Sequence, residues 1–222
     1  MDSNYNRIAT GSVRRTLGFG GDSHGAATER ETKVELRGRG TIRARPRVGC
    51  FGGATTDRYK KSHAYNSLKW DTHANLVLLM LGSNDCDAQD PPTASVISSQ
   101  IINLFLELSR QHGKVVYVCA LLTRFSVRHI GNLEHYEHIR RKINKNLARA
   151  LGNRFINLPG CYFKQYSYRP VFSKKWGIER VHLYQYNSLA RLCINHILRD
   201  LREKKSLPSK VQVLKRIARQ SQ

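Results

Sequence analysis

The sequence predicts an α/β fold built on a parallel sheet, and two observations carry this prediction. Two continuous apolar runs, "NLVLLMLG" (75–82) and "KVVYVCALL" (114–122), are typical of strands that are buried on both faces. A helical pattern follows each run, at 93–113 and at 132–152, with apolar residues three and four positions apart and a glycine at the end. Strands alternating with helices of this length indicate βαβ units with right-handed crossovers.

Three shorter runs predict further strands, and one predicts a last helix. The strand candidates are "RTLGFGG" (15–21), "RVGCFGG" (47–53) and "RFINLPG" (154–160). The segment 187–205 is amphipathic, and Pro208 follows it as a stop signal. Its expected apolar face consists of Leu189, Leu192, Cys193, His196 and Ile197.

A chain of 222 residues is long enough to bury one sizeable core, so we expect a single domain. The predicted elements place this domain at 15–205, after an N-terminal extension at 1–14 and before a basic tail at 206–222. The segments at 24–48, 54–74 and 123–135 are expected to be loops that line a pocket. Trp70 and Trp176 are expected to be packing residues rather than substrate platforms.

The charge balance makes nucleic acid the first macromolecular partner to consider. Lysine and arginine number 38 against 16 acidic residues, for a formal net charge of +22. The positive charge is densest at 37–47 and 210–220, where no aromatic residues are interleaved for base stacking. Binding there would be directed to the phosphate backbone and sensitive to salt. The alternative is that these cations are scattered over solvated helices and form no groove.

The cysteines and the N-terminus predict an intracellular, cytoplasmic protein without a membrane span. The five cysteines are widely spaced and include no CxxC pair, which indicates reduced and mostly buried thiols rather than disulfides or a zinc site. The first residues contain no apolar signal region, and no run approaches the ~18 apolar residues that a membrane span needs.

The loops after the predicted strands hold the candidate catalytic residues. Such loops meet at the carboxyl edge of a parallel sheet, where sites of α/β folds lie. Ser23 follows the first strand, and Glu179 precedes His182 by three residues shortly before the last helix. Ester hydrolysis needs a hydroxyl nucleophile, a base and a group that orients the base. Ser23 is the expected nucleophile, His182 the base and Glu179 the orienting acid.

Each of these residues also has a plainer interpretation. Serine between aspartate and histidine in "GDSH" is a good turn residue, and any one of nine histidines can be a satisfied loop histidine. His24 could compete with His182 as the base, although side chains adjacent in sequence diverge. Its expected role is to line the pocket.

Two further loops supply donors for an oxyanion. The backbone amides of Ser23 and Gly53 and the side-chain amide of Asn84 are the expected donors. Glycine at 53 leaves room for the substrate oxygen to approach the backbone. The expected supporting residues are Asp22, Gly52 and Gly82, with Asp85 in a similar supporting role.

The four blocks "GDSH", "GGATT", "LGSND" and "ERVHL", in this order, resemble those of the SGNH hydrolase superfamily, the GDSL-like esterases and lipases. The resemblance covers about 15–203 and extends through "ALLTRF" and "KINKNL" to SGNH domains of animal genomes, some encoded by retrotransposons. It implies a flavodoxin-like three-layer α/β/α sandwich with a five-stranded, mostly parallel sheet. It also implies hydrolysis of carboxylic esters, often with small acyl groups such as acetyl, without a metal or organic cofactor.

The chain departs from the family at one catalytic position, because Glu179 stands where the last block usually has aspartate. The expected activity is therefore that of a serine esterase with a Ser-His-Glu triad acting on a small ester substrate. The alternative is a weak or inactive SGNH fold that binds nucleic acid through its basic surface, for example within a mobile-element protein. The charge of +22 and Glu179 both favour that alternative.

Overall fold

The computed structural model describes residues 15–21, 42–44, 49–50, 53–124, 126–159 and 187–206. Their strands are β1 (Arg15–Gly21), β2 (Ile42–Ala44), β3 (Gly49–Cys50), β4 (Leu76–Met80), β5 (Val115–Cys119) and β6 (Phe155–Ile156). They form a single parallel sheet in the order β2-β1-β4-β5-β6, with β3 also paired to β1. The predicted α/β fold with a parallel sheet is confirmed.

The strand predicted at 47–53 is observed as β3 (Gly49–Cys50), and β2 (Ile42–Ala44) is a further strand inside the segment 24–48 that was predicted to be a loop. β2 pairs with the first residues of β1 and β3 pairs with its last two, so both lie along the same side of β1. Pro46, which has no amide hydrogen to give to a ladder, falls between them in the sequence. Within the described residues the sheet therefore has five positions across its width, and β2 was not predicted.

The helices are α1 (Thr56–Lys60), α2 (His63–Trp70), α3 (Ser83–Cys86), α4 (Ala94–Leu106), α5 (Leu133–Leu151) and α6 (Asn187–Ser206). α4 continues as a π-helical turn at Glu107–Gln111, and α5 as a 3₁₀ turn at Gly152–Arg154. The three long helices agree with the prediction. Asn132 caps the start of α5 by accepting from the amides of Glu134 and His135, and Gly152 ends it with a φ of 52°.

The prediction of a loop at 54–74 is wrong, because α1 and α2 occupy most of it. Thr55 and Ser62 cap these two helices with their side chains. Tyr59, Tyr65 and Leu68 anchor them in the core. The expectation that Trp70 packs is also wrong, since its side chain is 71% exposed. Trp176 lies outside the described residues.

The core forms where β4 and β5 lie between helices. All five residues of β4 are buried, as the continuous apolar run predicted. α6 packs across β5, where the Tyr117 hydroxyl donates to Asp200 Oδ2 at 2.5 Å and the thiols of Cys119 and Cys193 lie 3.9 Å apart. Of the predicted apolar face of α6, Leu189, Cys193 and Ile197 are buried, whereas Leu192 and His196 are half-buried.

The cysteines that the structure describes with their side chains agree with the prediction of buried thiols, since Cys86, Cys119 and Cys193 are buried and unbridged. Among the described helices, none combines the length and the apolar character that a membrane crossing requires.

Candidate active site

The carboxyl ends of three neighbouring strands bring the predicted site loops together. Gly21, the last residue of β1, is paired with Cys50 of β3 on one side and with Met80 of β4 on the other. Ser23 comes two residues after Gly21 in sequence, and Gly53 comes three residues after Cys50. Several predicted site residues lie outside the described part of the chain, namely Asp22, Ser23, His24, Gly52, Glu179 and His182.

Gly82 forms the turn that leads from β4 to Asn84. Its φ of +104° is a backbone conformation that side chains with a Cβ rarely adopt. A Cβ atom at this position would lie 2.9 Å from Leu121 Cδ2 and 3.2 Å from Ile101 Cδ1. Glycine therefore suits this position for two physical reasons, the backbone angle and the close approach of the core.

Asn84 lies in the short helix α3 and is held on both sides of its amide. Asn84 Nδ2 donates to the carbonyl oxygen of Ala54 at 3.0 Å, and Oδ1 accepts from Arg124 NH2 at 2.8 Å. Since Ala54 follows Gly53, the first bond joins the two loops that were expected to supply oxyanion donors. The second Nδ2 hydrogen has no acceptor among the described residues.

Asp85, which is buried, connects the loop after β4 to the loop that contains Gly53. Its carboxylate accepts from the Thr56 amide at 3.0 and 2.9 Å and from the Thr56 hydroxyl at 2.9 Å. Burial raises the pKa of Asp85, and the hydrogen bonds from Thr56 oppose that rise. Asp85 therefore fixes the start of α1, three residues after Gly53.

Gly53 has a φ of +69°, and a Cβ built on it meets no described atom within 4 Å. Among the described residues, the space in the direction of a Cβ at this position is thus open. A larger residue here would have to adopt a strained backbone and would fill that space.

Arg124 contacts the predicted site residue Asn84, although the sequence predicted no role for it. It is 4% exposed, and its NH1 atom forms an ion pair with Asp87 Oδ2 at 2.5 Å. Asp87 Oδ1 accepts from the backbone amides of Arg128 and His129 at 2.9 and 3.2 Å. The only feature of the sequence that points to Arg124 is its position after β5, in "ALLTRF". Its partner carboxylate, Asp87, lies 37 positions away in the sequence.

Helix α5 fixes the segment that carries Arg124. Asn144 bonds both the amide and the carbonyl of Leu121, at 2.9 and 3.1 Å, and the Tyr136 hydroxyl donates to the Leu122 carbonyl at 2.9 Å. Thr123 donates its hydroxyl to Glu137, which is itself buried. Arg140 neutralises Glu137 through a bidentate pair at 2.9 and 2.6 Å.

The start of α6 lies toward the same edge of the sheet. Asp200 contacts Tyr117 and Cys193 contacts Cys119, so α6 runs antiparallel to β5. Asn187, six residues before Cys193, therefore lies about 9 Å farther along the helix axis, beyond the carboxyl end of β5.

Burial raises the pKa of the Cys86 thiol to about 12, which favours its protonated form at neutral pH. Among the described residues, no group of three or more His, Cys, Asp or Glu side chains could hold a metal ion.

No protein-family profile matches the sequence, and no curated protein matches it either. Solved structures do match its fold. One is a lipase/acylhydrolase from Enterococcus faecalis, with a TM-score of 0.62 and 14% identity over 82% of this chain and 95% of that chain. A second is a GDSL-like lipase from Bacteroides thetaiotaomicron, with a TM-score of 0.52 and 16% identity over 85% of this chain and 89% of that chain.

A third is an acetyl xylan esterase, with a TM-score of 0.52 and 19% identity over 81% of this chain and 98% of that chain. These likenesses cover most of each chain at low identity, so they concern the fold. The chain has the fold of the GDSL-like lipases and acylhydrolases.

Proposed function

We propose that this protein is a serine esterase that hydrolyses carboxylic esters with small acyl groups such as acetyl. Ser23 is the nucleophile, His182 the base and Glu179 the acid that orients it. One observation carries the proposal: the Gly53 loop and Asn84 are hydrogen-bonded together at the edge where β1 ends, two residues before Ser23 in sequence.

In the proposed reaction, His182 accepts the proton of Ser23 as the hydroxyl oxygen attacks the ester carbonyl. The carbonyl oxygen becomes an oxyanion, which accepts from the backbone amides of Ser23 and Gly53 and from Asn84 Nδ2. Each such donor contributes roughly 3 kcal/mol to the transition state in known hydrolases. The protonated imidazole then returns its proton to the leaving alkoxide, and an acyl group remains on Ser23. Water activated by His182 releases the acid and restores the serine.

Three observations support this proposal. The start of α6 lies toward the carboxyl edge of the sheet, and His182 precedes this helix by five residues in sequence. The open space at Gly53 suits a donor that a substrate oxygen must approach. An acetyl xylan esterase is among the structures that share the fold, which supports a small acyl group.

Hydrolysis of p-nitrophenyl acetate, butyrate and octanoate tests the proposal. We expect the wild type to prefer acetate and Ser23→Ala to lose at least about 10³-fold in kcat. Ser99→Ala is the matched control, because Ser99 is exposed on α4 and should leave the rate unchanged. Equal rates for the wild type and Ser23→Ala would refute the proposed nucleophile.

The role of Glu179 is tested separately from that of Ser23. If Glu179 orients His182, Glu179→Asp retains activity, because the shorter acid is the residue that the resembling family uses. Glu179→Ala loses up to about 10⁴-fold in kcat, as expected when a histidine loses its orienting acid. Retention of full activity by Glu179→Ala would show that another group orients the base.

A second candidate function is binding of single-stranded nucleic acid. The charge of +22 favours it, as does the exposed Trp70, which lies against His112 at 4.8 Å between ring centroids and beside the Lys69 ammonium. Filter binding of single-stranded RNA at rising salt tests it. Phosphate contacts require a steep linear fall of log affinity with log salt, and Trp70→Ala should weaken binding if bases stack there. The absence of binding even at low salt would exclude this function.

A further inference from the structure

We infer that Arg124 is a positioning residue for the proposed esterase: its guanidinium fixes the Asn84 amide so that one Nδ2 hydrogen stays available to the oxyanion. This inference rests on the proposed function. It assigns a role to a buried cation that lies outside the expected triad and the expected set of oxyanion donors.

The first step of the argument is the orientation of the amide. A guanidinium can only donate and a backbone carbonyl can only accept. Asn84 lies between the two, with Arg124 NH2 at 2.8 Å from Oδ1 and the Ala54 carbonyl at 3.0 Å from Nδ2. Exchanging the oxygen and nitrogen of the amide would break both bonds. Its orientation is therefore determined by its partners, and its remaining hydrogen is held in one direction.

The second step is the rigidity of Arg124 itself. Its NH1 and NH2 atoms bond two different acceptors, Asp87 and Asn84, which uses the fixed fork of the guanidinium. Asp87 is in turn held by two backbone amides. The segment that carries Arg124 is bonded to α5 at three consecutive residues, through Asn144 at Leu121, Tyr136 at Leu122 and Glu137 at Thr123. The group that aims Asn84 is thus anchored on a long helix.

The third step is the electrostatic effect on the amide. A hydrogen bond from a cation to Asn84 Oδ1 polarises the amide group and makes its N–H a stronger donor. The guanidinium is buried beside Asp87, so the pair is shielded from water and keeps its geometry. Arg124 therefore acts on the transition state through Asn84 and does not need to touch the substrate.

A double-mutant cycle with p-nitrophenyl acetate tests this inference. We expect Arg124→Gln to lower kcat by about 100-fold, as misplacement of a catalytic group by an ångström can, while KM changes little. In the Asn84→Ala background the same substitution should change kcat by less than about twofold, since its target is gone. Arg149→Gln, at an exposed position of α5, is the matched control and should leave both constants unchanged.

Arg124→Lys separates geometry from charge. Lysine keeps the positive charge but cannot serve two acceptors with a fixed fork, so its kcat should stay close to that of Arg124→Gln. Should Arg124→Gln fail to fold because it leaves Asp87 buried without a cation, the cycle is run with the neutral pair Arg124→Gln/Asp87→Asn. The amide oxygen at position 87 can still accept from the two backbone amides.

The possible failures are distinguishable. If the wild type is active and Arg124→Gln lowers kcat equally in both backgrounds, the inference is overturned and the proposed function stands. If the wild type is inactive, the proposed function fails, and the ¹⁵N-labelled side-chain amide of Asn84 then tests the positioning by NMR. Its hydrogens should shift and exchange faster in Arg124→Gln but not in Arg149→Gln. Unchanged Asn84 signals in Arg124→Gln would overturn the inference.

Discussion

The substitution Gly82→Ala probes the turn that aims Asn84. We expect it to lower the free energy of unfolding for two reasons. A Cβ residue in the left-handed region costs about 1–2 kcal/mol, and the φ of Gly82 is +104°. The new methyl group would also lie 2.9 Å from Leu121 Cδ2, and overpacking of a core costs typically 1–3 kcal/mol. The free energy of unfolding should therefore fall by about 2–5 kcal/mol.

Gly113→Ala is the matched control for the backbone part of this penalty. Gly113 has a φ of +62°, and a Cβ there meets no described atom within 4 Å. It precedes β5, at the end of the sheet away from the site. For this control, the free energy of unfolding measured in urea should fall by about 1–2 kcal/mol, and kcat should match that of the wild type. If Gly82→Ala loses no more stability than Gly113→Ala and keeps full activity, the reasoning about this turn is wrong.

Asp85→Ala leaves the buried amide and hydroxyl of Thr56 without an acceptor. We expect the free energy of unfolding, measured in urea, to fall by about 1–3 kcal/mol, and kcat in the esterase assay to fall as well. The exposed Asp90→Ala should change neither; equal effects of the two would contradict the role of Asp85. Burial opposes ionisation of Glu107, but its ion pair with Lys69 at 2.8 Å outweighs this and holds the pKa of Glu107 below its usual 4.5. The ionised carboxylate therefore contributes stability that is lost as the pH falls through the lowered pKa. The free energies of unfolding of the wild type and Glu107→Gln should differ at neutral pH and converge in acid. A difference that stays constant with pH would contradict this pairing.

Long elements with regular patterns were predictable from the sequence, whereas the short helices α1 and α2 and the strand β2 were not. β4 and β5 are continuous apolar runs, and α4, α5 and α6 span at least three helical turns, so their periodicity is visible. α1 and α2 have five and eight residues, too few for a pattern to emerge. Trp70 shows the limit of reasoning from residue type. It lies about 200° around α2 from the buried Leu68, on the face away from the core.

Within the site, residues defined by local backbone chemistry were predictable, whereas a residue defined by a distant partner was not. The Gly82 turn and the position of Asn84 follow from a glycine and an asparagine placed directly after a strand. Arg124 is buried because Asp87 and Asn84, both far away in sequence, supply its acceptors. An arginine whose partners are not apparent from the sequence is expected to lie at the surface. The roles of Ser23, Glu179 and His182 stay predictions, because these residues lie outside the described part of the chain.

Reaction with a fluorophosphonate probe, followed by mass spectrometry of the peptides, tests the central claim most directly. An activated serine forms a stable phosphonyl ester with such a probe whatever its natural substrate is. We expect stoichiometric labelling at Ser23, none in Ser23→Ala and strongly slowed labelling in His182→Ala. Labelling at another residue, or none in folded wild-type protein, would contradict the assignment of Ser23 as the nucleophile.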